Sequence, residues 1–178
     1  EQRTFWEKLK ETTYNVKLVL LATLIINLAF NIFYATFPLN TFQELGWSEG
    51  ELGIYFSILS LAMAAVQGPI LPLISKRFSE KTMIYGGTIM LALTFILYSM
   101  DSTLSAYIAI IFFALGNGIM WPSVLSQLSK NAPKSEQGIV QDLSGSITSI
   151  ASITGLLTGG LLYAVSYTHL RAHETNVD

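Results

Sequence analysis

Residues Leu18–Phe37 read LVLLATLIINLAFNIFYATF, a run with no charged residue. A helix needs about 20 mostly apolar residues to cross the hydrocarbon core of a bilayer, because each residue advances it by about 1.5 Å. Leu52–Ile74, Met83–Met100 and Leu104–Leu125 have the same character. Gly138–Ala164 is a weaker fifth run. It carries Asp142 near its start and much Ser, Thr and Gly, yet Leu143–Ala164 is uncharged and rich in Ile and Leu. The alternative, buried helices in a large soluble core, does not fit several charge-free runs in close succession. The expected fold is all-α, a polytopic membrane helix bundle of five transmembrane helices.

Composition agrees. Of 178 residues, 51% are hydrophobic and 12% charged, about half the charged fraction of an ordinary soluble domain. A net charge of −2 argues against a nucleic-acid partner, which needs a basic surface to neutralise phosphates. There is no Cys, and the only His residues, His169 and His173, fall near the end. Metal, thiolate and imidazole chemistry have almost no material to work with. The sequence therefore predicts no enzyme, no cofactor and no metal site. Its hydropathy makes the lipid bilayer the first predicted partner.

The basic residues predict a topology, because Lys and Arg concentrate in short cytoplasmic loops. Arg3, Lys8, Lys10 and Lys17 precede the first span; Lys76, Arg77 and Lys81 separate the second and third; Lys130 and Lys134 separate the fourth and fifth. The intervening segments Pro38–Glu51 and Asp101–Thr103 contain acids but no Lys or Arg. The expectation is a multi-pass protein of the plasma membrane or bacterial inner membrane, with the N-terminus and both basic loops cytoplasmic. The opening segment, 1–17, reads either as a cytoplasmic linker or as an interfacial helix: Phe5, Trp6 and Leu9 can lie on an apolar side, while Glu7, Lys8 and Lys10 face water or head groups.

The chain opens on Glu1 without a signal-peptide pattern and reads as a fragment. At its other end, Val165–Thr175 (VSYTHLRAHET) breaks the apolar pattern. The string resembles the translation of a sequencing adapter, so 165–178 is read as a non-native tail. The membrane half-domain then spans 18–164, and Arg171, the one basic residue outside the topology, ceases to be an exception.

Polar residues within the spans fall into stripes. Thr23, Asn27, Asn31 and Tyr34 recur at helical spacing, as do Ser57, Ser60 and Gln67 with Ala64 between. Side-chain amides are costly in hydrocarbon unless they find partners or face a water-filled cavity. Asn27, Asn31, Tyr34 and Gln67 are accordingly candidates for lining a substrate path, with hydrogen bonding between helices as the alternative. Gly68, Pro69 and Pro72 in the second span and Pro122 in the fourth, after Gly116-Asn117-Gly118, predict bends, since proline frees a carbonyl. Gly155 and Gly159 in the fifth have the spacing that permits close helix approach. Asp142 lies in the first turns of its helix, where a carboxylate suits the helix dipole and the interface.

The order of these features resembles the second half of the major facilitator superfamily, in particular its drug:proton antiporters of the tetracycline-efflux type. Leu45-Gly46-Trp47-Ser48 before Leu52-Gly53-Ile54 resembles the outer loop after the family's seventh helix, and Gln67 matches a Gln in the eighth. Ser75-Lys76-Arg77-Phe78-Ser79-Glu80-Lys81 is similar to the weaker second copy of the family's basic cytoplasmic signature. Here Lys76 stands for the signature's Asp, Ser79 for its Gly and Glu80 for an Arg, so its gating role does not carry over. Gly116-x-Gly118 with Trp121-Pro122 resembles the tenth helix, and Gln137-Gly138 with Gly155, Gly159, Gly160 and Tyr163 the eleventh.

The resemblance implies an incomplete half of a twelve-helix transporter, helices seven to eleven. The partners it implies are the missing N-terminal half and a small-molecule substrate. It also implies alternating access around a central site between the halves, with Asn27, Asn31 and Tyr34 on a cavity-facing helix. No Lys, Arg, Asp or Glu lies at mid-membrane in the first four spans. A neutral or amphipathic organic substrate therefore fits better than a strongly charged one, and coupling carboxylates are expected mainly in the other half. A non-transporting scaffold or receptor-like polytopic protein would share the hydropathy and topology, but would keep Asn27 and Asn31 buried against other helices. A channel is disfavoured because no span reads as a re-entrant filter.

Overall fold

Capping side chains mark where three of the helices begin in the computed structural model, which describes residues 4–174. Helix α1 (Phe5–Glu11) starts at Thr4, whose Oγ1 accepts from Glu7 N while Glu7 Oε2 accepts from Thr4 N. Ser48 and Glu51 form the same reciprocal box at the start of α3 (Glu49–Ala65). Each box satisfies two backbone donors that a helix start leaves open. Ser79 Oγ accepts from Thr82 N at the head of α5 (Glu80–Tyr98). The remaining long helices are α2 (Tyr14–Gln43), α6 (Thr103–Asn131) and α7 (Gln137–Glu174). No strand occurs among the described residues.

Among the described residues, five helical segments are long and apolar enough to span a membrane, and they correspond to the five runs read from the sequence. Most of their ends reach further than the apolar runs, although α5 stops at Tyr98, short of Met100. α2 extends through Pro38 to Gln43, and α6 continues from Leu125 to Asn131. The apolar run measures the hydrocarbon, whereas backbone hydrogen bonding carries a helix on into polar surroundings. Proline removes one donor, which a long helix tolerates where local adjustment supplies partners. In the second span the proline effect is larger: a π-helical turn, Val66–Ile70, contains Gly68 and Pro69, and the short α4 (Leu71–Ile74) follows with Pro72. The tail from 165 onward continues α7 as far as Glu174, and its final residues, 175–178, lie outside the described residues.

The chain forms two compact units, one of residues 41–133 and one joining the residues up to Asn40 with those from Lys134 onward. In the first, α6 lies between α3 and α5. Met83, Gly87, Leu91 and Thr94 form the buried face of α5, and the backbones of α5 and α6 nearly touch. A Cβ on Gly87 would stand 2.7 Å from the Gly116 carbonyl oxygen and 2.6 Å from Met120 Cβ. On the other side, a Cβ on Gly118 would stand 2.8 Å from Val66. Glu80 accepts from Lys130 and from Ser126, so the start of α5 meets the end of α6 and the two run antiparallel.

In the other unit α2 and α7 run parallel. Cβ atoms on Gly155 and Gly159 would lie 2.9 Å from the Leu28 carbonyl oxygen and 3.0 Å from that of Ile32. Val140, Leu143, Ile147 and Ala151 make a buried stripe on α7, at the three- and four-residue spacing of one helix face. Lys8 on α1 reaches Asp142 on α7 at 3.5 Å, so the amphipathic first helix is tied to this unit.

These close approaches predict an asymmetry between neighbouring glycines. Gly87→Ala and Gly159→Ala are expected to lower stability by about 1–3 kcal/mol, because the added methyl meets backbone atoms that cannot yield. Gly86→Ala and Gly160→Ala face open space and are expected to be neutral or stabilising by up to about 1 kcal/mol. Apparent melting temperatures of the four variants in detergent check this.

Candidate functional site

The polar stripe on α2 is built from side chains that return to their own helix. Thr23 Oγ1 donates to the Val19 carbonyl at 2.9 Å, Asn27 Nδ2 to that of Thr23 at 2.8 Å, and Asn31 Nδ2 to that of Asn27 at 2.8 Å. This back-bonding to the carbonyl one turn earlier lets short polar side chains sit inside a span without a partner helix. It uses one N–H of each amide. The second N–H and the Oδ1 acceptor of Asn27 and Asn31 make no hydrogen bond among the described residues, and neither amide is sealed away from the surface. Asn31 also carries its Cβ against α7, 2.7 Å from where a Cβ on Gly155 would stand. Tyr34 is 42% exposed and stacks near Phe33 and Phe30, with ring centroids 5.4 and 6.5 Å away. Helical spacing thus brings Asn27, Asn31 and Tyr34 onto adjoining turns of one helix.

Gln67 belongs to the other compact unit, in the π turn, where its side chain is exposed and makes no hydrogen bond among the described residues. Gly68 and Pro69 follow it, also exposed. Lys76 and Arg77 lie in the turn after α4, held by Arg77 N and Phe78 N donating to the Ile74 carbonyl, and Lys81 sits in the first turn of α5; all three are exposed. Pro122 is half-buried inside α6. Asp142 lies in the second turn of α7, exposed and paired with Lys8. Among the described residues no group of His, Cys, Asp or Glu could hold a metal ion.

Two features lay outside the sequence-predicted set. Gly87, in the pair Gly86-Gly87 within a span, is the contact point of α5 on α6. The second is an aromatic cluster where α3 meets the start of α6. Trp47 Nε1 donates to Thr103 Oγ1 at 3.1 Å, and its ring lies 5.3 Å from that of Tyr55 and 5.9 Å from that of Tyr107. The Tyr55 hydroxyl is 2.7 Å from that of Tyr98 and donates to the Ala106 carbonyl at 3.2 Å. Aromatic residues at the ends of apolar runs were the available signal; their convergence from three helices was not.

A family model, the Major Facilitator Superfamily, matches residues 19–170, nearly all of the membrane-spanning part. The chain belongs to this superfamily. It is a family of membrane transporters, not of enzymes. Relatives include the tetracycline resistance protein, class D, of Salmonella ordonez, 27% identical over 124 residues covering 70% of this chain and 32% of the relative. Another is the tetracycline resistance protein, class C, of Escherichia coli, 33% identical over 124 residues covering 67% of this chain and 30% of the relative. The superfamily chain thus matches about a third of the length of each curated relative. No solved structure matches it.

The aromatic cluster is expected to hold the first compact unit of this superfamily member together. Tyr55→Phe removes a buried hydroxyl shared by two partners and is expected to cost about 1–2 kcal/mol. Tyr107→Phe, whose ring contacts persist, is expected to cost less than half of that in the same thermal unfolding measurement.

Proposed function

We propose that this chain is the C-terminal half, helices seven to eleven of twelve, of a secondary active transporter. It moves a small neutral or amphipathic organic molecule by alternating access, in a drug-efflux manner coupled to protons. The observation that carries this reading is the chemistry of α2. The Asn27 and Asn31 amides are anchored to their own helix, yet each keeps an acceptor and a donor in reserve. A scaffold would be expected to spend them between helices; a transport path needs them available to water and substrate. Tyr34, partly exposed on the following turn, adds an aromatic face with a polar tip. Gln67 is proposed as a further lining residue.

The relatives named for tetracycline resistance support an organic, drug-sized substrate. The clustering of Lys and Arg at alternate ends of the spans supports a cytoplasmic N-terminus and cytoplasmic basic loops. Lys76, Arg77 and Lys81 supply that charge and are given no gating role, because the surrounding signature departs from the family's. Asp142 is given no coupling role, since it is engaged by Lys8 near the head of α7. Proton-coupling carboxylates are assigned to the N-terminal half, which supplies the other wall of the central site.

The chain contains no Cys, so single cysteines report cleanly on exposure. With the N-terminal half co-expressed in vesicles, Asn27→Cys, Asn31→Cys and Tyr34→Cys are expected to react with a membrane-impermeant thiol reagent. The rate is expected to exceed that of Ile25→Cys, an exposed apolar position on the same helix, by roughly tenfold, because only a hydrated thiol ionises readily. Labelling of the three that is no faster than at Ile25 sinks the transport reading and favours the scaffold.

A further inference from the structure

We propose that the groove enclosed by α1, α2 and α7 is a binding site for one anionic phospholipid, with an acyl chain in the groove and the headgroup phosphate on Lys10 and Lys17. The groove measures about 490 Å³, within the range that takes a ligand of acyl-chain size. Its walls are Trp6 and Leu9 from α1, Leu21 and Leu24 from α2, and Ile150 from α7, with Lys10 and Lys17 as its charged members. The walls are poorly covered: Trp6 is 69% exposed, Leu21 52% and Ile150 50%. Leu21 and Ile150 lie within the spans, so an acyl chain seated in the groove packs against surface that already faces hydrocarbon.

The charge selects the headgroup. Lys17 Nζ donates to the Lys10 carbonyl, 3.1 Å away near the end of α1. This contact holds the ammonium beside the Lys10 residue and leaves two of its three N–H donors for a phosphate. Of the nearby acids, Glu7 is committed to the Thr4 backbone and Asp142 to Lys8. Glu11, exposed on α1, offsets part of the local charge, so the ammonium groups act together with the apolar walls. An apolar slot with cations at its edge complements an amphiphile carrying negative charge. In a multi-pass membrane protein whose first helix is amphipathic, the surrounding bilayer supplies that amphiphile. The site stands on this unit alone and does not depend on the transport reading.

Native mass spectrometry of the purified full chain, with phosphatidylglycerol or phosphatidylcholine added to the detergent, tests the site. One phosphatidylglycerol is expected to remain bound under conditions that strip phosphatidylcholine. Lys10→Gln/Lys17→Gln is expected to weaken that retention about thirtyfold, as two basic side chains cease to attract the headgroup. Lys76→Gln/Lys81→Gln, which removes the same charge from exposed positions away from the groove, is expected to change it less than about threefold. Leu24→Trp, which fills the groove and keeps both ammonium groups, is expected to reduce retention as well. Equal retention of the two lipids, equal loss in the two lysine pairs, or full retention in Leu24→Trp would each overturn the proposal. Circular dichroism of every variant separates loss of the site from loss of the fold.

Discussion

A chain in hydrocarbon has no water to bind, and every other feature here depends on how the backbone meets that constraint. Each N–H and C=O must be answered within the chain, and a helix answers nearly all of them locally. This is why five apolar runs become five long helices and why strands are absent among the described residues. The same constraint explains the polar side chains of α2. Thr23, Asn27 and Asn31 return their donors to carbonyls one turn earlier, so their polarity costs less than an isolated amide in lipid. What is left over on each amide is the chemistry available for function.

Once helices are formed, hydrophobic burial contributes little to holding them together in a bilayer, because lipid tails are as apolar as leucine. Close packing has to supply the attraction, and small residues allow it. Gly87 against Gly116 does this for α5 and α6, and Gly155 with Gly159 for α7 on α2. Directional contacts are placed at the ends, where the surroundings are more polar. Trp47, Tyr55 and Tyr98 form hydrogen bonds where α3 and α5 meet the start of α6, and Glu80 pairs with Lys130 where α6 ends. The unit of residues 41–133 is thus gripped by packing in its middle and by polar contacts at both ends.

The π turn at Val66–Ile70 shows how a local defect is used. Gly68 and Pro69 disturb the hydrogen-bond ladder, and the wider turn absorbs the disturbance without ending the span. Such turns favour functional positions, and Gln67 sits inside this one, exposed. On α1 an amphipathic pattern that admitted a linker or a surface helix became a capped helix tied to α7 by Lys8 and Asp142. That attachment created the groove in which Lys10 and Lys17 stand beside apolar walls.

By itself the sequence determined the helical class, the number of spans, the alternation of charge along them and the stripe of Asn27, Asn31 and Tyr34. All of these depend on neighbours within a few turns, and helical periodicity makes such neighbours legible. Gly155 and Gly159 were legible for the same reason, because their spacing alone makes a smooth helix face. The tertiary structure decided which surfaces those faces meet. Nothing local distinguishes Gly87, whose added methyl would strike Gly116, from Gly86, whose added methyl would meet open space. Nothing local brings Tyr55 to Tyr98 and Ala106, or Lys8 to Asp142. Those pairings join residues distant in sequence, and only the choice of which helices pack together, made by backbone approach, puts them in contact.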